Sequence, residues 1–161
     1  MNRAVEIDLS ALPQRAGGRP RTTSTNPHTQ LDQTTTPLLV DELARRALAL
    51  PGVEDRPSLI SVPGARALWL AEDQQASGPH AFIIGREFAH IHPPPDGSLH
   101  MVLPREVAHE AVAQGWAEPH PAARVGYIPE TVVMVYAPRD EAELEVVLAL
   151  LGRSLEQAQG V

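Results

Sequence analysis

The chain is predicted to fold as a single α+β domain, a mostly antiparallel sheet covered by helices. Three observations carry that expectation. Short β-patterned runs cluster in the middle of the chain, helical periodicity flanks and interrupts them, and no Gly-rich phosphate loop follows a strand. Strict βαβα alternation is missing, which argues against a doubly wound sheet. The 161 residues, 43% of them hydrophobic, supply one ordinary core.

Residues 1–36 stand apart. Thr22 to Gln30 and Thr34 to Thr36 are polar, with almost no apolar periodicity. Such composition buries too little surface to offset its ordering entropy. The segment is expected to be a polar, Thr-rich, flexible arm with a short ordered piece around Val5 to Leu12, and its His28 is given no functional weight.

The folded domain is expected over residues 37–158. Thr36 suits an N-cap and Pro37 the first helical position, where its missing N–H costs nothing. Leu39, Leu43, Ala47 and Leu50 recur at helical spacing until Pro51-Gly52. Leu59 to Val62, a Pro63-Gly64 turn and Arg66 to Leu70 read as a hairpin. Ala81 to Ile84 is a further strand candidate, and Phe88 to His92 and Ser98 to Leu103 alternate with period two. Pro104 opens a second helix with Val107, Ala108, Ala111 and Val112 inward and Gly115 as its stop. Thr131 to Tyr136 reads as a buried strand. Asp140 and Glu143 start a last helix, with Leu144, Val147, Leu148, Leu151 and Leu155 inward.

Composition narrows the chemistry. Thirteen basic residues against twenty acidic ones give a net charge of -7, a poor surface for nucleic acid or anionic membrane. There is no cysteine, which excludes thiol nucleophiles, disulfides and Cys-ligated metal. Every basic residue is arginine, so Schiff-base and P-loop lysine chemistry are excluded as well. No secretory signal and no apolar run of about 20 residues is visible, so a soluble, cytoplasmic protein is expected.

What remains is histidine. His90 and His92 lie two apart on a predicted strand and so share a face. If residues 93–97 form the hairpin loop, His100 stands opposite His90 and Ser98 opposite His92. Cross-strand Cβ atoms are then about 5 Å apart, and three imidazoles converge. A one-residue slip would send His100 to the other face. Phe88 and Val102 would wall this face, while Ala89, Ile91, Leu99, Met101 and Leu103 pack the core. Strand alternation places Glu87 on the face away from His90 unless a bulge re-aims it. His120 follows Trp116 on a downstream loop.

Alternating polar residues on one strand face are most simply a solvated surface. The convergence of three rings, with a fourth nearby, favours a site. Its chemistry stays open between two readings. In one, His90, His92 and His100, with or without His120, hold a divalent transition metal such as Zn, Fe, Ni or Cu. In the other, no cofactor is needed and a histidine of near-neutral pKa removes a substrate proton, with Arg86 or Arg139 holding an oxyanion. His80 and His109 are expected at the surface. Trp116 and Tyr136 suit packing as well as substrate contact, and Arg139 suits pairing with an acid of the last helix.

Four segments carry a resemblance. Glu87-Phe-Ala-His90-Ile-His92, Ser98-Leu-His100-Met, Gly115-Trp116-Ala-Glu-Pro-His120-Pro121 and Tyr136-Ala-Pro-Arg139-Asp-Glu resemble the luciferase domain of bioluminescent fungi, over about residues 85–152. The resemblance implies an oxidoreductase of the oxygenase type that adds O2 to a small enolisable pyrone or phenol. For the fungal enzymes this is a 3-hydroxyhispidin-type luciferin whose peroxide loses CO2 to leave an excited product. It implies His90, His92, His100 and His120 as catalytic positions. Glu87, Phe88, Trp116, Tyr136 and Arg139 become substrate-binding positions. The implied partners are a small-molecule substrate and O2; no cofactor is implied and the oligomeric state stays open. A non-catalytic ligand-binding module on the same fold is the remaining alternative.

Overall fold

In the computed structural model, which describes residues 6–161, Thr36 caps α1, Pro37–Leu48, by accepting a hydrogen bond from the Leu39 amide at 3.3 Å. Of the ordered piece expected near Val5 to Leu12, Val5 lies outside the described residues. The strands are β1, Val53–Pro57, β2, Arg66–Leu70, β3, Glu87–Ile91, and β4, Leu99–Val102. Helix α2, Arg105–Ala113, ends before Gly115 at φ +84°, a left-handed residue that lets the chain turn back. There follow β5, Ala117–Pro119, a single turn α3, Pro121–Arg124, β6, Val132–Val135, and α4, Glu141–Gln159.

The six strands form one sheet in the order β1-β2-β3-β4-β6-β5, every neighbouring pair antiparallel. The expected single α+β domain is what the chain forms. One face carries Leu68, Ala89, Ile91, Leu99, Met101, Val133 and Val135 into the core. Helices α1 and α4 cover that face, supplying Leu43, Ala44 and Ala47 from one and Leu144, Val147, Leu150 and Leu151 from the other. Asp140 caps α4, accepting from the Glu143 amide at 2.9 Å, as the sequence indicates. Among the described residues no helix is long and apolar enough to cross a membrane.

Two strand expectations need correcting. The partner of β2 is Val53–Pro57 and not Leu59 to Val62. As an edge strand, β1 carries Glu54, Asp55 and Arg56, which hides it from a search for apolar alternation and keeps the edge soluble. Leu59 to Val62 is apolar for another reason, since Ile60 and Val62 line a cavity. Ala81 to Ile84 is no strand: a 3-10 turn spans Pro79–Ala81, and Ile84 makes one bridge to Glu87.

The segment read as a loose arm makes specific contacts. Leu12 is buried, and the Trp116 indole N–H donates to the Pro13 carbonyl at 2.7 Å. The Arg15 amide donates to the Gln114 carbonyl at 2.9 Å, and the buried Gln30 side chain accepts from the Ala137 amide at 2.9 Å. These are polar contacts to residues about a hundred positions away, which leave no trace in hydrophobic periodicity.

Candidate active site

The sheet face opposite the helices carries a row of paired residues: Ala67 with His90, His90 with His100, His100 with Met134, and Met134 with Glu118. The predicted His90–His100 register is therefore present, and two imidazoles and one carboxylate fall on one face of three strands. The His92 amide donates to the Ser98 carbonyl at 2.8 Å, which closes the hairpin beside them.

Glu87 joins this face through a bulge. On β2 Leu68 faces Ala89 while Trp69 faces Glu87, so Phe88 is an extra residue. The bulge sends Phe88 into the core and swings Glu87 toward His90. The fully buried Glu87 carboxylate accepts from His90 Nδ1 at 2.8 Å, from the Ser58 hydroxyl at 3.0 Å and from the Leu59 amide at 3.2 Å.

From His90 a chain of rings crosses the site. His90 Nε2 lies 3.0 Å from His100 Nδ1, His100 Nε2 lies 2.9 Å from His28 Nδ1, and His28 Nε2 lies 3.0 Å from Glu118 Oε2. Glu118 also accepts from the Thr22 hydroxyl at 2.9 Å and the Tyr136 hydroxyl at 3.0 Å. The sequence gives His28 no functional weight, yet it is 3% exposed and links His100 to Glu118. Its only sequence signal was a lone imidazole in a polar segment.

Burial holds His100 well below the usual imidazole value, and the rings around it act the same way. Burial also lowers His90, against the opposing pull of its Glu87 hydrogen bond. For Glu118 burial pushes upward, but hydrogen bonds from His28, Thr22 and Tyr136 outweigh it and the carboxyl titrates below its usual range.

Two further rings are tied differently. His92 Nδ1 lies 3.0 Å from Ser98 Oγ and 3.2 Å from Asp96 Oδ2. Because the Ser98 hydroxyl already donates to Asp96 Oδ1 at 2.5 Å, His92 is the donor at Nδ1. Neutral His92 therefore keeps its lone pair on Nε2, which makes no hydrogen bond among the described residues. His120 is the reverse. Its Nδ1 accepts the Ala122 amide at 3.0 Å, so its proton is on Nε2, again without a partner among the described residues. Burial, with the nearby His28 and His90, lowers His120 to about 4, so this ring is neutral at physiological pH.

All five rings line a cavity of about 620 Å³. Its remaining wall is mainly apolar, with Ile60, Val62, Phe82, Ile128 and Val132, and His80 joins it at the exposed rim. No arginine or carboxylate lines it among the described residues.

Several predicted contact residues lie elsewhere. Phe88 and Trp116 are part of the core cluster. Tyr136 is buried, binds Glu118 through its hydroxyl and is pushed to about 12 by burial first and by Glu118. Arg139 pairs with Glu143 of α4 at 2.6 Å, which is the simpler of its two predicted roles. Arg86 donates to the carbonyls of Leu70, Ala71 and Gln74. Neither arginine reaches the cavity, so neither holds an oxyanion there. Glu87 acts behind His90, outside the cavity wall.

The family model of the Luciferase domain matches residues 85–154. Proteins named luciferase from Armillaria gallica and Armillaria ostoyae are each 32% identical over 164 residues, and one from Neonothopanus nambi is 31% identical over 166. The chain belongs to the luciferase-domain family. Each of these alignments covers 91% of this chain, which spans 61% of the length of the relatives. No solved structure matches.

In this luciferase domain the matched residues 85–154 hold His90, His92, His100, His120, Glu87 and Glu118, whereas His28 lies outside them. Two sets of rings are close enough to hold an ion: His90, His92 and His100, and His28, His100 and His120, each with ligand atoms within 4.8 Å of one another. His100 belongs to both, and an ion in either set would compete with the chain for one of its nitrogens.

Proposed function

We propose that this luciferase domain is an oxygenase-like enzyme acting on a small enolisable phenolic or pyrone substrate, with His92 as the base. One observation carries the reading: two rings facing an apolar cavity have opposite free atoms. His92 offers a lone pair at Nε2, oriented by Asp96 and Ser98. His120 offers an N–H at Nε2, oriented by the Ala122 amide. An enol bound between them loses its proton to His92, while the oxyanion that develops accepts from His120. The apolar wall keeps water from competing and raises the energy of the enolate, which is then electron-rich enough to give an electron to O2. The relatives named luciferases support this reaction class, in which O2 is the oxidant.

Oxygen uptake tests the proposal with a panel of 3-hydroxypyrones and catechols, light being recorded in parallel. Turnover is expected for at least one member and is lost in His92→Ala. Binding of panel members without consumption of O2 would replace the proposal with a ligand-binding module. Elemental analysis of untagged protein separates this reading from an ion-dependent one. The metal-free reading expects less than about a tenth of an equivalent of any transition metal, since a three-histidine site that used one would bind it tightly.

A further inference from the structure

The chain Glu87–His90–His100–His28–Glu118 has four links, of 2.8, 3.0, 2.9 and 3.0 Å. All five groups are buried, from 0% exposed for Glu87 to 8% for Glu118. At such separations each link needs one proton between its two atoms, because two facing lone pairs repel.

The two carboxylates supply none of these protons. At Glu87 the other partners are the Ser58 hydroxyl and the Leu59 amide, and at Glu118 they are the Thr22 and Tyr136 hydroxyls, all of them donors. Arg124 lies 3.5 Å from Glu118 as well. Both carboxyl groups are thus surrounded by donors and face the rings as acceptors. Three neutral imidazoles carry one ring proton each, which leaves the four links one short.

The shortfall falls on His100. Read from Glu87, His90 donates through Nδ1 and accepts at Nε2, so His100 must be protonated at Nδ1. Read from Glu118, His28 donates through Nε2 and accepts at Nδ1, so His100 must be protonated at Nε2. The two ends demand opposite tautomers of one ring.

We infer that the chain holds one proton more than three neutral imidazoles, shared between Glu87 and Glu118, and that His28 is the residue that creates this requirement. Without His28, the Nε2 of His100 would be a free acceptor, and two neutral rings would suffice for the two links left. His28 is thus a positioning residue acting through His100, and the N-terminal segment that carries it belongs to the site. His90 and His28 each face a carboxylate and His100 faces none, so an outer ring holds the proton. Moving it from one outer ring to the other takes a short hop across each of the two ring-to-ring links. His92 and His120 flank the chain, their ring centroids 4.9 and 5.0 Å from that of His100, and neither is bonded into it.

The inference is independent of the reaction, so its test needs no substrate. Imidazole nitrogen NMR shifts of the chelator-treated, full-length protein near neutral pH give the protons on each ring. Wild-type protein should show four ring protons over His28, His90 and His100. Glu87→Gln presents an amide N–H to His90 and reverses its tautomer. Three neutral rings then close the chain, with His100 protonated at Nε2. Glu118→Gln does the same from the other end and leaves His100 protonated at Nδ1. The expected result is the loss of one ring proton in each variant and opposite tautomers of His100. Three singly protonated rings in the wild type, or one shared tautomer in the two variants, would overturn the inference. The wild-type count alone decides it if either variant fails to fold.

Discussion

Replacing Glu87 with alanine removes an acceptor that three donors share. The His90 Nδ1–H is left in a fully buried position, while Ser58 and Leu59 lie on a part-buried loop where water can replace the carboxylate. An orphaned buried donor costs about 1–3 kcal/mol. The space left by the deleted atoms adds about 1 kcal/mol, and relief of a desolvated charge offsets part of both. The net expectation is a loss of about 2 kcal/mol for Glu87→Ala. Glu87→Gln keeps an acceptor for the loop and gives His90 a donor, so it should stay within about 1 kcal/mol of wild type. Urea unfolding of the three proteins, compared at equal slopes, measures both differences. An alanine variant as stable as the glutamine variant would refute the assignment of Glu87 as the group that holds His90 and the loop together.

Asp96→Asn would turn an amide N–H toward His92 Nδ1 and move the ring proton to Nε2, removing the free lone pair. Oxygen uptake should fall about 10²–10⁴-fold with little change in unfolding midpoint, and an unaffected rate would exclude His92 as the base. His120 titrates near 4 in the folded protein against 6.5 in the unfolded chain. Between those values the unfolded state binds more protons, so stability should fall as pH drops through that window and His100 should add to the fall. A urea midpoint that rises on acidification over the same range would contradict this. Trp116→Phe loses the hydrogen bond to the Pro13 carbonyl, worth about 1 kcal/mol. Limited proteolysis within residues 6–36 should then accelerate without faster digestion of the domain; equal cleavage rates would mean that the indole does not hold the segment.

Much of the site could be read from spacing. The two-residue period of His90 and His92, and a loop of the right length after them, set the register with His100. Helix α1 was legible from Thr36-Pro37, and α4 from Asp140. The elements that escaped are short or polar. Strand β5 is three residues ending in Pro119, and α3 is a single turn, both stabilised by neighbours and not by local propensity. The direction of Glu87 turned on a bulge at Phe88, which residue alternation cannot supply. His28 was hidden most deeply, because what orders its segment is a set of long-range hydrogen bonds donated and accepted by groups that look solvated in isolation.

The route of the chain through the site has a consequence for its birth on the ribosome. His28 and its neighbours are synthesised first, but His100 and Glu118, the groups that seat it, follow some seventy to ninety residues later. For that interval the segment has nothing to dock on and must wait in water without clumping. A stretch of threonine, asparagine and glutamine is well suited to waiting. The same composition that conceals its destination thus protects the nascent polypeptide until its seat has been made.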